Sequence, residues 1–455
     1  MLLRVLWYCY ELSRNQWLKP AELKKLQEKR LKAILRHAYE NVPLYHEKFD
    51  SVGIKPTDIR TVEDLSKLPF TAKQEVWNGM PDQSIAKGYN INECVKISTS
   101  GTTGGPMPIY YDKRFWDYFV ATHYHRMIRA MGFSPWDKTV KISYRMPGAG
   151  ERSYELKRKS RGRQAFGPAF SLLRGRYKHV YISHGADEIL PDIIKYQPKI
   201  IESNPSYLRL VAEAMADKGI EKIHPKALET STEVLDEPTR RFLESSFKCK
   251  VFDHYATWDT GLIAWECSRR EGYHIDADLC IVEIVRNGEP VEPHERGEII
   301  VTCLLNYAMP VIRYRVGDLG ILDDEQCSCG RSFLLLKSVE GRIVDCLSPP
   351  DGRIVSPKTI MTVVQGTPGV SRYQVVQESR NKVTIELMRG KNDPEVSIDE
   401  LTARCREVLG EDVEIKVFLG DRKDLKAKFR PVISKLTVSG ETRWTKPRAH
   451  ADVVK

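Results

Sequence analysis

Ser98, Thr99, Ser100, Gly101, Thr102, Thr103, Gly104 and Gly105 follow one another and end in Pro106. No packed core accommodates such a run of hydroxyls and glycines. Glycine adopts backbone angles that other residues resist, so successive N–H groups can turn to one side and form an anion-binding concavity. The hydroxyls add donors for phosphate oxygens, which only accept. Cys94-Val95-Lys96-Ile97 reads as a strand entering the run and Met107-Pro108-Ile109-Tyr110-Tyr111 as a strand leaving it. The expectation is a hairpin closed by a phosphate-gripping loop. It is not a Walker A loop, which requires Gly-Lys-Ser/Thr ahead of a helix.

Further groups follow in order. Asp253-His254-Tyr255-Ala256-Thr257-Trp258-Asp259 ends a short apolar strand in hydroxyls and a carboxylate. Open α/β sheets bind ligands at that end of a strand, and a carboxylate facing a triphosphate suits Mg²⁺. In Arg313-Tyr314-Arg315-Val316-Gly317-Asp318, one carboxylate at a tight glycine turn can accept both hydroxyls of a ribose. Gly341-Arg342-Ile343-Val344-Asp345 and Lys426-Ala427-Lys428-Phe429-Arg430 bring cations and a further acid. Separately, Cys267, His274, Cys327 and Cys329 offer three thiolates and an imidazole. That donor set closes a tetrahedral zinc site with no open position, so its role would be structural.

The elements that must position these groups are those of an α/β chain. Apolar residues recur at helical spacing over 20–48, and Thr61 with Asp64 signals a helix start. A helix over 114–131 is rich in aromatics; Trp116 and Tyr118 fit a pocket wall for an aryl acid but fit the core as well, where most of these aromatics are expected. From 139 to 255, strands alternate with helices, which argues for a largely parallel sheet. From 279 to 322, strands follow one another, with turns expected at Asn287-Gly288 and Arg296-Gly297. Ser348-Pro349-Pro350-Asp351-Gly352 is a turn-rich break. After it, two strands (373–377, 382–387), a helix (397–409) and a strand (413–418) precede a basic, loop-like end. The fold expected is a large N-terminal domain (1–345) of mostly parallel sheet with a β-rich subdomain, and a small mobile α+β domain (346–455).

With 41% hydrophobic residues over 455 positions, the chain can bury a large core. Ten cysteines in so long a chain do not read as a secreted disulfide framework. They suggest a reducing, cytoplasmic setting. No apolar run is long enough to span a bilayer, and residues 1–10 read as the start of a packed helix. The net charge of +10 suits anionic nucleotides and CoA without requiring nucleic acid. Its sharpest basic run is 157–163.

Taken in order, these motifs resemble the adenylate-forming superfamily of acyl-CoA synthetases, adenylation domains and luciferases, and within it the phenylacetate–CoA ligase-like branch. His37-Ala38-Tyr39-Glu40-Asn41-Val42-Pro43 and Asn306-Tyr307-Ala308-Met309-Pro310 through Asp318 carry the resemblance beyond the nucleotide motifs. It implies that 98–105 hold the ATP phosphates, and Thr257 is a further cofactor-binding candidate. Tyr255 would stack on adenine, and Asp259 would stand for the Mg²⁺-binding Glu. Asp318 would hold the ribose, Arg342 would sit near ribose and phosphate, Asp345 at a hinge, and Lys428 would be the catalytic lysine. The implied activity is ATP-dependent formation of an acyl-adenylate and transfer of the acyl group to a thiol, that of CoA. Alternatives are adenylyl transfer, acyl transfer to an amine, hydroxyl or carrier protein, and an inactive binding protein of the same fold. The implied substrate is a carboxylic acid, an aryl acid being compatible with the aromatics; no nucleic acid or membrane insertion is implied, and a homodimer is compatible. Asp259, Ala256, Thr232 and Ala427 depart from the branch, which has Glu, Gly, Gly and Gly there.

Overall fold

The computed structural model describes residues 2–98, 107–144, 176–182, 185–389, 395–421 and 430–436. Residues 99–106 of the glycine-rich run, the basic run 157–163 and Lys428 lie outside them.

The N-terminal helix Leu2–Asn15 buries Val5, Cys9 and Leu12 and leaves Leu3, Trp7 and Tyr10 exposed. The expected helix over 20–48 is two helices, Pro20–Asn41 and Pro43–Ser51. Pro43 forces Val42 into extended backbone, which interrupts the first helix, and then serves as the first residue of the second. At 61–67 the structure has a short 3-10 turn, Glu63–Lys67. The Asp64 carboxylate caps it, accepting from the backbone N–H groups of Arg60 (2.9 Å) and Thr61 (3.0 Å).

β1 (Val95–Ser98) and β2 (Pro108–Tyr111) pair antiparallel around the glycine-rich run, as a hairpin requires. Asp112 then caps the helix Lys113–Ala121, accepting from Arg114 N (2.8 Å) and Phe115 N (2.9 Å). Trp116 and Tyr118 of that helix are 7% and 2% exposed, so they belong to the core and not to a pocket wall. A π-helical turn, Thr122–Met127, continues the helix.

β3 (Thr139–Tyr144), β4 (Tyr177–Ile182), β5 (Ile200–Ser203), β6 (Ala227–Thr230) and β7 (Lys250–Thr257) lie in the order β4-β3-β5-β6-β7, all parallel. Every residue of β5 and β6 is buried, as in a sheet covered on both faces. The sheet continues antiparallel through β8 (Gly261–Glu266) and β9 (Tyr273–Ile275). It is extended by β10 (Cys280–Arg286), β11 (Glu289–Pro290), β12 (Arg296–Cys303), β13 (Tyr314–Asp323) and β14 (Leu335–Arg342). Twelve strands form one mixed sheet; only β4, β3, β5, β6 and β7 pair parallel and the other pairings are antiparallel, so the sheet is less parallel than the alternation over 139–255 implied, because the β-rich stretch joins the same sheet. Asn287-Gly288 is a turn, with φ of 55° and 90°. Arg296-Gly297 is not: it opens β12, and a Cβ on Gly297 would lie 2.5 Å from the Val285 carbonyl oxygen. Close strand approach, not a bend, is what that glycine serves.

After residue 346 a second sheet forms in the order β17-β16-β15-β18. Its strands are β15 (Arg372–Ser379), β16 (Lys382–Arg389), β17 (Glu414–Asp421) and β18 (Val432–Ser434). The helix Ile398–Leu409, capped by Ser397, buries Leu401, Cys405 and Leu409 with Val375, Val383 and Ile385 of the strands. β18 lies inside the stretch expected to be loop and pairs parallel with β15. Three residues are too short to show a periodicity, so the strand is specified by its neighbour. No helix among the described residues is long and apolar enough to cross a membrane.

Candidate active site

β13 and β14 place Asp318 directly opposite Arg342. The Arg342 Nε lies 3.0 Å from one Asp318 oxygen, and the Tyr255 hydroxyl donates to the other at 2.8 Å. Three separate stretches thus meet at one carboxylate, only 6% exposed. The Gly317 preceding it, with φ of 84°, sits in a bulge of β13 and not in a turn. Such bulges re-aim side chains. Gly341 has φ of 96°, and a Cβ there would lie 2.9 Å from Pro357, so a glycine is required beside Arg342. Tyr255 is buried, and burial pushes its phenol well above the usual range; the neighbouring Asp318 charge adds to this.

At the end of β7, the Tyr111 hydroxyl holds the Trp258 carbonyl. Beside it, the Asp259 Oδ1 is buried without a hydrogen-bond partner. Burial pushes this carboxyl up from the usual aspartate value, while Lys73, Tyr314 and Arg342 favour its charged form. An orphaned buried oxygen at the carboxyl end of a sheet fits a cation site. Thr257 is occupied locally: its hydroxyl pairs with the Thr260 hydroxyl at 2.8 Å and accepts from Thr260 N.

Asp345 follows Arg342 by one short turn, Ile343–Asp345, and pairs with Arg430. That contact joins the end of the twelve-stranded sheet to the segment leading into β18. Arg430 is the described residue nearest in sequence to Lys428.

Cys267, His274, Cys327 and Cys329 come together, their ligand atoms all within 4.8 Å of one another. Cys267 Sγ lies 3.7 Å from Cys327 Sγ, and Cys329 Sγ 3.4 Å from His274 Nε2. Zinc–thiolate bonds of about 2.3 Å at tetrahedral angles separate two sulfurs by about 3.8 Å, and a sulfur from an imidazole nitrogen by about 3.5 Å. The donors and their spacing therefore fit a closed zinc site. It sits at the far end of the β13–β14 hairpin from Asp318 and Arg342.

No family model matches the chain. A phenylacetate-coenzyme A ligase of Escherichia coli is 32% identical over 343 residues, covering 72% of each chain. One of Thermus thermophilus is 28% identical over 369 residues, covering 78% of each. The chain belongs to the phenylacetate–CoA ligase family. Among solved structures, a 2-hydroxyisobutyryl-CoA ligase in its postadenylation state superimposes with a TM-score of 0.75 at 20% identity, covering 93% of this chain and 92% of that one. The same ligase in its thioesterification state gives 0.62. The adenylate-forming fold is thereby shown.

Within this phenylacetate–CoA ligase family member, Ser98 lies at the end of β1, ahead of the glycine-rich run. Thr232, where the resemblance implies a glycine, adopts φ of 76°. A β-branched residue in the left-handed region is strained, which explains why a glycine belongs there. Two contributors escaped the motif reading. Lys73 and Tyr314 both act on Asp259, and they meet because Thr71 N donates to Arg313 O (2.8 Å) while Arg315 N donates to Thr71 O (2.9 Å). Lys73 stands in Leu68-Pro69-Phe70-Thr71-Ala72-Lys73, and nothing local there points to Asp259, which lies far along the chain.

Proposed function

We propose that this chain activates a carboxylic acid as an acyl-adenylate at the expense of ATP and then transfers the acyl group to CoA. The observation that carries the reading is the Asp318 carboxylate, nearly buried yet held at one edge by Tyr255 and Arg342, in a chain of this family. Its remaining lone pairs suit the two ribose hydroxyls, and the Tyr255 ring offers a face to adenine. Residues 98–105 would grip the phosphates.

The substrate carboxylate attacks the α-phosphorus and pyrophosphate leaves. Lys428 neutralises charge on the attacking oxygen and the bridging phosphate oxygen, so catalysis is chiefly positioning and electrostatics. Asp259 would hold Mg²⁺, whose chemistry is to neutralise phosphate charge. The segment after Asp345 then turns about that residue, making 1–345 and 346–455 the two working units. The CoA thiol attacks the acyl carbon and AMP leaves. Cys267, His274, Cys327 and Cys329 would hold a structural zinc that braces the β13–β14 hairpin. An aryl acid such as phenylacetate, the substrate in the name of its relatives, is the first acid to try. All ten cysteines are unpaired, which supports a reducing cytoplasmic setting.

The test is carboxylate-dependent exchange of labelled pyrophosphate into ATP, followed by CoA consumption with the acids that support exchange. Exchange with CoA consumption is expected. Exchange without it would point to another acceptor, and no exchange with any acid would refute adenylation.

A further inference from the structure

On the face of β7 away from Tyr255 lies a second set of buried donors. Lys141, Glu202 and Glu229 fall side by side across β3, β5 and β6. Phe252 of β7 is opposite Glu229, so His254, two residues on, shows the same face. The π-helical turn Thr122–Met127 sets His123 above them, and such turns are frequent at functional sites. His123 Nε2 and His254 Nδ1 lie 3.6 Å and 3.4 Å from the same oxygen of Glu229, with the three ligand atoms all within 4.8 Å.

The state of these groups is unusual. Glu229 is 1% exposed, and neither of its carboxyl oxygens has a hydrogen-bond partner; nor has His254 Nδ1. Its neighbour in the row, Glu202, is held by Lys141 and the Tyr177 hydroxyl. Buried polar atoms are rarely left unsatisfied. Here three of them converge on one point.

We propose that His123, Glu229 and His254 bind a divalent transition metal of the zinc class. Bonds of about 2.0–2.2 Å at tetrahedral angles space ligand atoms by about 3.3–3.6 Å, which matches both distances to Glu229. Two imidazoles and one carboxylate leave a fourth position open. Two of the three ligands, His123 and Glu229, also line a cleft with Tyr124, Arg176, Tyr177 and Glu202. An open His₂Glu set is the arrangement of metals that bind a water or a ligand oxygen, in contrast to the closed Cys₃His set. The inference does not depend on the reaction proposed above.

The experiment is metal analysis of the full-length protein after incubation with zinc and desalting, beside a cobalt-substituted sample. Two equivalents are expected in the wild type. His254→Gln and His123→Gln should each hold one. In cobalt form both should keep the near-ultraviolet thiolate-to-cobalt band of the cysteine site. Cys329→Ser should show the converse, with visible cobalt absorption free of a thiolate band. One equivalent or none in the wild type overturns the proposal, a measurement that needs no variant to fold. Two equivalents retained in both histidine variants overturn it as well.

Discussion

Asp318→Ala removes the carboxylate on which Tyr255 and Arg342 converge, and it should do two separable things. The first concerns ATP. A hydrogen bond to a charged acceptor contributes about 1.5–3 kcal/mol, and each factor of ten in affinity is about 1.4 kcal/mol. Loss of the ribose acceptor should therefore weaken ATP binding about ten- to a hundredfold. The second concerns the protein without ligand. Tyr255 is 9% exposed, so its hydroxyl would be left buried without an acceptor, which costs about 1–3 kcal/mol. The Arg342 side chain is 41% exposed and regains water, so its lost ion pair adds little. Tyr255→Phe separates the two effects: it deletes the same hydrogen bond from the other side and keeps both carboxylate oxygens and the ring. It should lower the denaturation midpoint and leave ATP affinity within about threefold, well short of the tenfold that about 1.4 kcal/mol represents. Calorimetric titration with ATP and denaturant unfolding of the two variants give both quantities. An unchanged ATP dissociation constant in a folded Asp318→Ala protein would refute the assignment.

Lys428→Ala should bind ATP nearly normally, slow adenylate formation at least about a hundredfold, and still form thioester from synthetic acyl-adenylate and CoA; a parallel loss of both half-reactions contradicts the role. Cys329→Ser should lose the zinc of the cysteine site and unfold at lower temperature, since structural zinc contributes about 10–16 kcal/mol of apparent binding in small peptides; an unchanged melting point argues against a structural metal. Thr232→Gly should stabilise, because relief of left-handed strain (about 1–3 kcal/mol) exceeds the extra entropy of glycine (about 0.5–1 kcal/mol); a lower denaturation midpoint is the opposing result. Burial, and then repulsion from Glu266, pushes the Asp253 carboxyl up to about 7, whereas an unfolded aspartate titrates near 3.9. The folded state holds that proton longer, so the contribution of Asp253 is full below about pH 4 and is lost as pH rises to about 7. Asp253→Asn should flatten the stability curve over that window, and an unaltered slope there would exclude Asp253 as its source.

Much of the fold could be read locally. The helix Pro205–Asp217 begins at its proline, the helix Ile398–Leu409 at its Ser397 cap, and β1 and β2 flank the glycine-rich run, because caps, prolines and glycines act within a few residues of where they stand. Local signals failed where a neighbour decided. Gly297 is a strand residue because Val285 lies against it, and β18 exists because β15 offers it an edge; between pocket and core for Trp116 and Tyr118, the covering elements decide for the core.

The same division runs through the site. The chemistry was in the residue types: an anion-binding run, carboxylates at strand ends, three thiols and an imidazole. The arrangement was not. Tyr255 and Asp318 are 63 positions apart, and Cys267 and Cys327 are 60 apart. Thr257, adjacent in sequence to the site, spends its hydroxyl on Thr260. His123 and Glu229 lie in no motif and His254 only in the stretch that ends at Asp259; their convergence was not legible, since one comes from a helix and two from separate strands. Side-chain identity sets which interactions a residue can make. Only sheet order and register, fixed by burial of the two faces, bring distant residues within the few ångströms at which those interactions act.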